Sequence, residues 1–75
     1  MIKVYVLPNC QRCEDLRMYM RKNNIPYQEL NVEKNPRALA KMTVEGIEQY
    51  PVVEINGRLY KDGVEQLKRL VSSVR

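Results

Sequence analysis

Histidine is absent from this chain of 75 residues, as are phenylalanine and tryptophan, and only three glycines and two cysteines occur. Each absence removes a class of chemistry. Without an imidazole there is neither a histidine general base nor a histidine-based metal site. Two cysteines fill only half of a tetrahedral zinc shell, so such a site needs a second copy of the chain or help from carboxylates. Neither a phosphate loop nor a catalytic carboxylate dyad appears, which leaves hydrolase and nucleotide chemistry without support. With no other aromatic type, most of the five tyrosines are expected simply to supply aromatic bulk.

Long apolar runs are also missing. The apolar stretch from Ile2 to Leu7 is broken by Lys3. It lacks the charged lead, long apolar middle and small-residue cleavage site of a secretory signal, so the expected location is the cytoplasm and no membrane partner is expected. In that compartment two cysteines in a small protein are more often catalytic or metal-binding than structural. No repeat, linker or low-complexity tract divides the sequence, so one domain over residues 1–75 is expected. A domain of this size buries only about 60% of the surface its unfolded chain exposes. At 44% hydrophobic and 29% charged residues, the composition is that of an ordinary globular protein.

The net charge of +4 has no concentrated source. Met1 to Arg37 holds seven basic against four acidic residues, and the remainder six against five. Arg17, Arg21 and Lys22 fall on the polar side of a first helix, and Lys68 and Arg69 on that of a last one. A nucleic-acid surface shows denser basic clustering with aromatics available for stacking, so no nucleic-acid partner is expected.

What is present reads as a regular alternation of elements. Ile2 to Val6 is rich in β-branched and aromatic residues and predicts a strand. Pro8 and Asn9 turn the chain into a helix from about Gln11 to Asn23, with Cys13, Leu16 and Met20 on one face and Tyr19 beside them. Tyr27 to Val32 alternates as a second strand. Asn35 and Pro36 cap and open a second helix whose buried side is expected at Leu39 and Met42, with Gly46 as its stop. Met18, Met20 and Met42 read as core filler. After Pro51, Val52 to Ile55 and Arg58 to Tyr60 flank Asn56-Gly57, the strongest short hairpin signal. Asp62 then caps a last helix, with Glu65 three residues on and Val64, Leu67, Leu70, Val71 and Val74 at helical spacing.

Cys10 and Cys13 stand where the first strand gives way to the first helix. A thiol in a first helical turn faces unpaired N–H groups and the positive end of the helix dipole, which favours thiolate. A thiolate with a second thiol one turn along exchanges disulfides. Glu14 and Asp15 suit the dipole of that turn and need no catalytic role.

The order β-α-β-α-β-β-α predicts an α/β protein with a four-stranded mixed sheet flanked by three helices, the thioredoxin fold. Cys10 and Cys13 after the first strand, Pro51 opening the third and Gly63 starting the last helix together resemble a glutaredoxin over essentially the whole chain. The short length, the run Pro8-Asn9-Cys10 and the stretch Gln49-Tyr50-Pro51-Val52-Val53 look most like NrdH-redoxins, small glutaredoxin-like electron donors to ribonucleotide reductase.

The resemblance implies a thiol–disulfide oxidoreductase without a bound cofactor, working through a redox-active Cys10–Cys13 disulfide as a monomer. Cys10 is the nucleophile that forms a mixed disulfide with the substrate, and Cys13 resolves it. Substrate-binding positions fall on Pro8, Gln11, Arg12, Gln49, Tyr50, Pro51, Asp62, Gly63 and Val64. Pro51 matches the family's cis-proline, although an X-Pro bond is cis in only about 5–6% of cases. Tyr50 either stacks on substrate or supplies aromatic bulk.

Arg12 departs from both family patterns. A cation there lowers the Cys10 pKa or meets an acidic partner, against the plain reading of a solvated residue in the first turn. Glutathione-using relatives carry a lysine where this chain has Leu7, a Thr-Val-Pro where it has Gln49-Tyr50-Pro51, a basic or amide residue where it has Glu48, and a Gly-Gly where it has Asp62-Gly63. Only Gly63, at an anion-friendly helix start, survives from that pattern. Thioredoxin reductase is therefore the expected reductant, with glutathione the alternative, and a protein disulfide such as that of ribonucleotide reductase the expected substrate. From a different class, a CxxC metal-binding dimer is the competing account.

Overall fold

Elements form where the residues ask for them in a computed structural model of the chain, which describes residues 1–61, 65 and 67–69. β1 is Ile2–Val6, α1 Gln11–Lys22, β2 Gln28–Asn31, α2 Pro36–Val44, β3 Val52–Ile55 and β4 Arg58–Tyr60. The sheet order is β2-β1-β3-β4. β1 runs parallel to β2 and antiparallel to β3, and β3 pairs antiparallel with β4. This is the mixed four-stranded sheet that the sequence predicts. Positions 65 and 67–69 are helical, in the place of the expected last helix. Asp62, Gly63, Val64, Leu70, Val71 and Val74 lie outside the described residues, and with them the predicted cap and most of that helix's apolar face.

Both complete helices end in the same way. At α1, the Asn24 N–H bonds the Arg21 carbonyl and the Ile25 N–H reaches back to Met20, while Asn24 sits at φ 54°. At α2, Gly46 bonds Thr43 and Ile47 bonds Met42, with Gly46 at φ 69°. Two crossed bonds around a left-handed residue define the Schellman ending, which satisfies carbonyls the helix itself leaves open. The start of α2 is equally clear, because the Asn35 side chain accepts the Ala38 N–H at 3.1 Å ahead of Pro36. In the hairpin, Asn56 and Gly57 both take positive φ, 51° and 85°, as a type I′ turn requires.

The sheet separates two apolar layers. On one face Val4, Val6 and Val53 meet Cys13, Leu16 and Met20 of α1, and Leu67. On the other, Tyr5, Val32 and Val52 meet Ala38 and Met42 of α2, and Ile47. Three expectations are corrected in detail. Met18 is 65% exposed, since it lies two residues from both Leu16 and Met20 and so about 200° around α1. Leu39 is 47% exposed because the line from Ala38 to Met42 faces the sheet, and Leu39 stands about 100° off it. β2 is shorter than the predicted Tyr27 to Val32, yet Val32 is buried and its N–H still bonds the Val6 carbonyl at 3.1 Å.

One buried polar cluster ties α2 to the sheet. Glu54, buried on β3, accepts the Tyr5 hydroxyl at 2.8 Å and the Lys41 ammonium at 2.5 Å, with Lys3 at 3.9 Å. Burial alone would raise the Glu54 pKa; the bonds from Lys41 and Tyr5 and the charges of Lys41 and Lys3 outweigh it and hold the carboxyl below its ordinary range. Burial, then the bond to Glu54, raises the Tyr5 phenol.

Candidate active site

β1 delivers the chain to the site through Leu7, Pro8 and Asn9. Asn9 adopts φ 54°, a left-handed value that asparagine tolerates better than most residues, and the next residue is the N-cap of α1. That cap is Cys10. Its Sγ accepts the Cys13 N–H at 3.1 Å, in the position where an oxygen of Ser, Asp or Asn usually sits. Its carbonyl accepts the Glu14 N–H at 3.1 Å. A sulfur so placed sits at the positive end of the α1 dipole, which stabilises negative charge on it when the pair is reduced.

The two sulfurs are joined, with 5.2 Å between the Cα atoms. Cys10 is half-buried, whereas Cys13 is 2% exposed and packed with Val4, Leu16 and Met20. The pair is thus asymmetric in access. Nearby carboxylates are engaged on their own helix: Asp15 accepts from the Gln11 amide at 2.9 Å, and Glu14 pairs with Arg17, which also bonds Glu29 of β2 at 2.8 Å. Those two hydrogen bonds strengthen the hold of Arg17 on its proton. Among the described residues no three histidine, cysteine, aspartate or glutamate side chains come together as metal ligands.

Beyond the Schellman turn of α2, Ile47, Glu48 and Gln49 lead to a cis Tyr50–Pro51 bond, as the resemblance implied. Pro51 is buried, and Tyr50 is half-buried against both apolar layers, where burial raises its phenol pKa. A groove of about 420 Å³ runs here, lined by Arg12, Gly46, Ile47, Glu48, Gln49 and Lys61. It brings together Arg12 and Gln49, two of the residues singled out from the sequence. Pro8 and Gln11 are exposed beside the cysteines without lining it, and Asp62, Gly63 and Val64 lie outside the described residues. Sequence reasoning missed Lys61 as a site residue. The Asn56-Gly57 register was its available signal, since pairing Ile55 with Arg58 and Val53 with Tyr60 brings the end of β4 back to the start of β3, where Pro51 stands.

Comparison with known proteins agrees with this geometry. Residues 2–60 match the glutaredoxin family model. The glutaredoxin-like proteins NrdH of Lactococcus lactis subsp. cremoris (strain MG1363) and subsp. lactis (strain IL1403) are each 26% identical over 53 residues, covering 71% of this chain and 74% of theirs. Among solved structures, the thioredoxin-like protein BC3987 is 28% identical with a TM-score of 0.81, covering 93% of this chain and 99% of that one. NrdH-redoxin from Escherichia coli shares the fold at a TM-score of 0.77 and 23% identity, covering 88% and 92%. With the family model spanning β1 to β4 and the CxxC pair at the start of α1, this chain belongs to the glutaredoxin family of thiol–disulfide oxidoreductases and is most like its NrdH-redoxins.

Proposed function

We propose that the protein reduces disulfides in other proteins by dithiol exchange, as a cytoplasmic electron carrier of the kind that serves ribonucleotide reductase. The observation that carries this reading is the asymmetry of the pair: Cys10 is accessible at the cap of α1, and Cys13 is buried behind it with its N–H on the Cys10 sulfur. The Cys10 thiolate attacks one sulfur of the substrate disulfide, that S–S bond breaks, and the departing sulfur takes a proton. Cys13, as thiolate, then attacks Cys10 Sγ and expels the second substrate thiol. Two electrons and two protons pass to the substrate, and the Cys10–Cys13 disulfide remains. With no histidine in the chain, solvent or a carboxylate supplies the protons.

An external dithiol reductant must reopen that disulfide, and we assign this to a thioredoxin reductase. Glu48 puts a carboxylate into the groove where glutathione-using relatives carry a basic or amide residue, and Leu7 stands where both they and the usual NrdH-redoxin carry a lysine. The Escherichia coli NrdH-redoxin has a thioredoxin-like activity profile. The protein acts as a monomer in this scheme.

The test is a redox titration in glutathione buffers with acid quench, alkylation and intact-mass readout. An internal disulfide with a midpoint between roughly −200 and −270 mV is expected, spanning the glutaredoxin and thioredoxin values. Accumulation of a glutathione adduct would instead favour glutathione as reductant, and thiols that stay reduced throughout would overturn the electron-carrier reading.

A further inference from the structure

Charge around the site is distributed unevenly between paired and unpaired groups. On α1 beside the cysteines, Arg17 holds Glu14 and also Glu29, and Gln11 holds Asp15. Arg12, Glu48 and Lys61, exposed on the walls of one 420 Å³ groove, form neither a hydrogen bond nor an ion pair among the described residues. The two carboxylates of α1 are occupied, Glu14 by Arg17 and Asp15 by Gln11. Among the described residues the groove therefore presents two unpaired cations against one unpaired anion. Arg12 lies between the two cysteines in sequence, so the groove whose wall it forms adjoins the CxxC turn.

We propose that Arg12 and Lys61 select disulfides flanked by acidic residues, the substrate being a protein segment with aspartate or glutamate next to its cysteine. The inference rests on the disulfide-reductase reading and adds the chemistry of its substrate. Charges at the rim of a contact act mainly on the encounter rate and on partner choice, and their effect falls with salt. Glu48 opposes the two cations, so it moderates the preference.

The experiment is single-turnover reduction by pre-reduced protein of two disulfide peptides that differ only in Glu or Lys flanking the cysteines. Each rate is divided by that of the same peptide with dithiothreitol, which removes the intrinsic effect of the flanks on the disulfide. The acidic peptide should react about tenfold faster at low salt, and the ratio should approach unity by roughly 0.5 M salt. The double variant Arg12→Glu, Lys61→Glu should invert the preference, and Glu48→Gln should increase it. Lys22→Glu, an equal change of sign per site at the far end of α1, should preserve the preference. Equal normalised rates in the wild-type protein at low salt would overturn the proposal while leaving the reductase reading intact, and this needs no variant. A preference that the double variant leaves unchanged would overturn it as well. Failure to reduce either peptide would overturn both readings.

Discussion

At the scale of single residues, burial and hydrogen bonding divide the roles. Cys10 and Cys13 are chemically identical, and their difference is one of access: one caps α1 at the surface, the other is packed with Val4 and Leu16. Cys10→Ser should therefore abolish disulfide exchange, while Cys13→Ser should accumulate mixed disulfides with substrate, read by non-reducing gel and intact mass. Glu54 works in the opposite layer. Its carboxyl is held below the ordinary value of 4.5, so it contributes stability at pH above that value, and the contribution is lost as pH falls through the lower folded value. Urea unfolding from pH 7 to 3 should show this acid loss, and Glu54→Gln should flatten it. Glu54→Ala should cost about 1–3 kcal/mol, chiefly by leaving the buried Tyr5 hydroxyl without its acceptor, because Lys41 is exposed enough to turn to water.

At the scale of elements, helix endings set where the groove lies. The Schellman turn after α2 sends Ile47, Glu48 and Gln49 toward Pro51 and past Arg12. No described residue lies within 4 Å of where a Cβ on Gly46 would stand, so its φ of 69° is what favours glycine there. Gly46→Ala should destabilise by about 1–2 kcal/mol, and Gly46→Asn by less, measured by urea unfolding. Asn24 already shows that asparagine serves at the matching place in α1. These endings were legible in the sequence as Asn23-Asn24 and Gly46. The side of α2 that faces the sheet was not, because Leu39 and Ala38 both fit an apolar stripe and only the packing of Met42 and Ile47 decides between them.

At the scale of the molecule, one thin sheet serves two apolar layers. Leu16 on one side and Met42 on the other are fully buried. Leu16→Ala should cost about 2–5 kcal/mol, through lost burial and a cavity under β1 and β3, and should lower the urea midpoint without splitting the transition. The stability of a small domain is about 5–15 kcal/mol, so one such change removes a large share of it. The same layer holds Cys13 in place, so the variant should also slow the resolving step relative to the first attack, visible as longer-lived mixed disulfide.

The order of elements, the hairpin at Asn56-Gly57, the caps at Asn35 and Gly46 and the CxxC at the head of α1 were all determined by local sequence, because each depends on backbone preference or spacing over a few residues. Long-range packing decided the rest. That Met18 faces solvent, that Glu54 gathers Tyr5, Lys41 and Lys3, and that Lys61 shares a groove with Arg12 follow from which faces the sheet brings together across tens of residues of chain. Charge is the least legible of these from sequence. The sequence sets Arg12 between the cysteines and Arg17 on the polar side of α1, and only the fold gives Arg17 Glu29 and leaves Arg12 without a partner among the described residues.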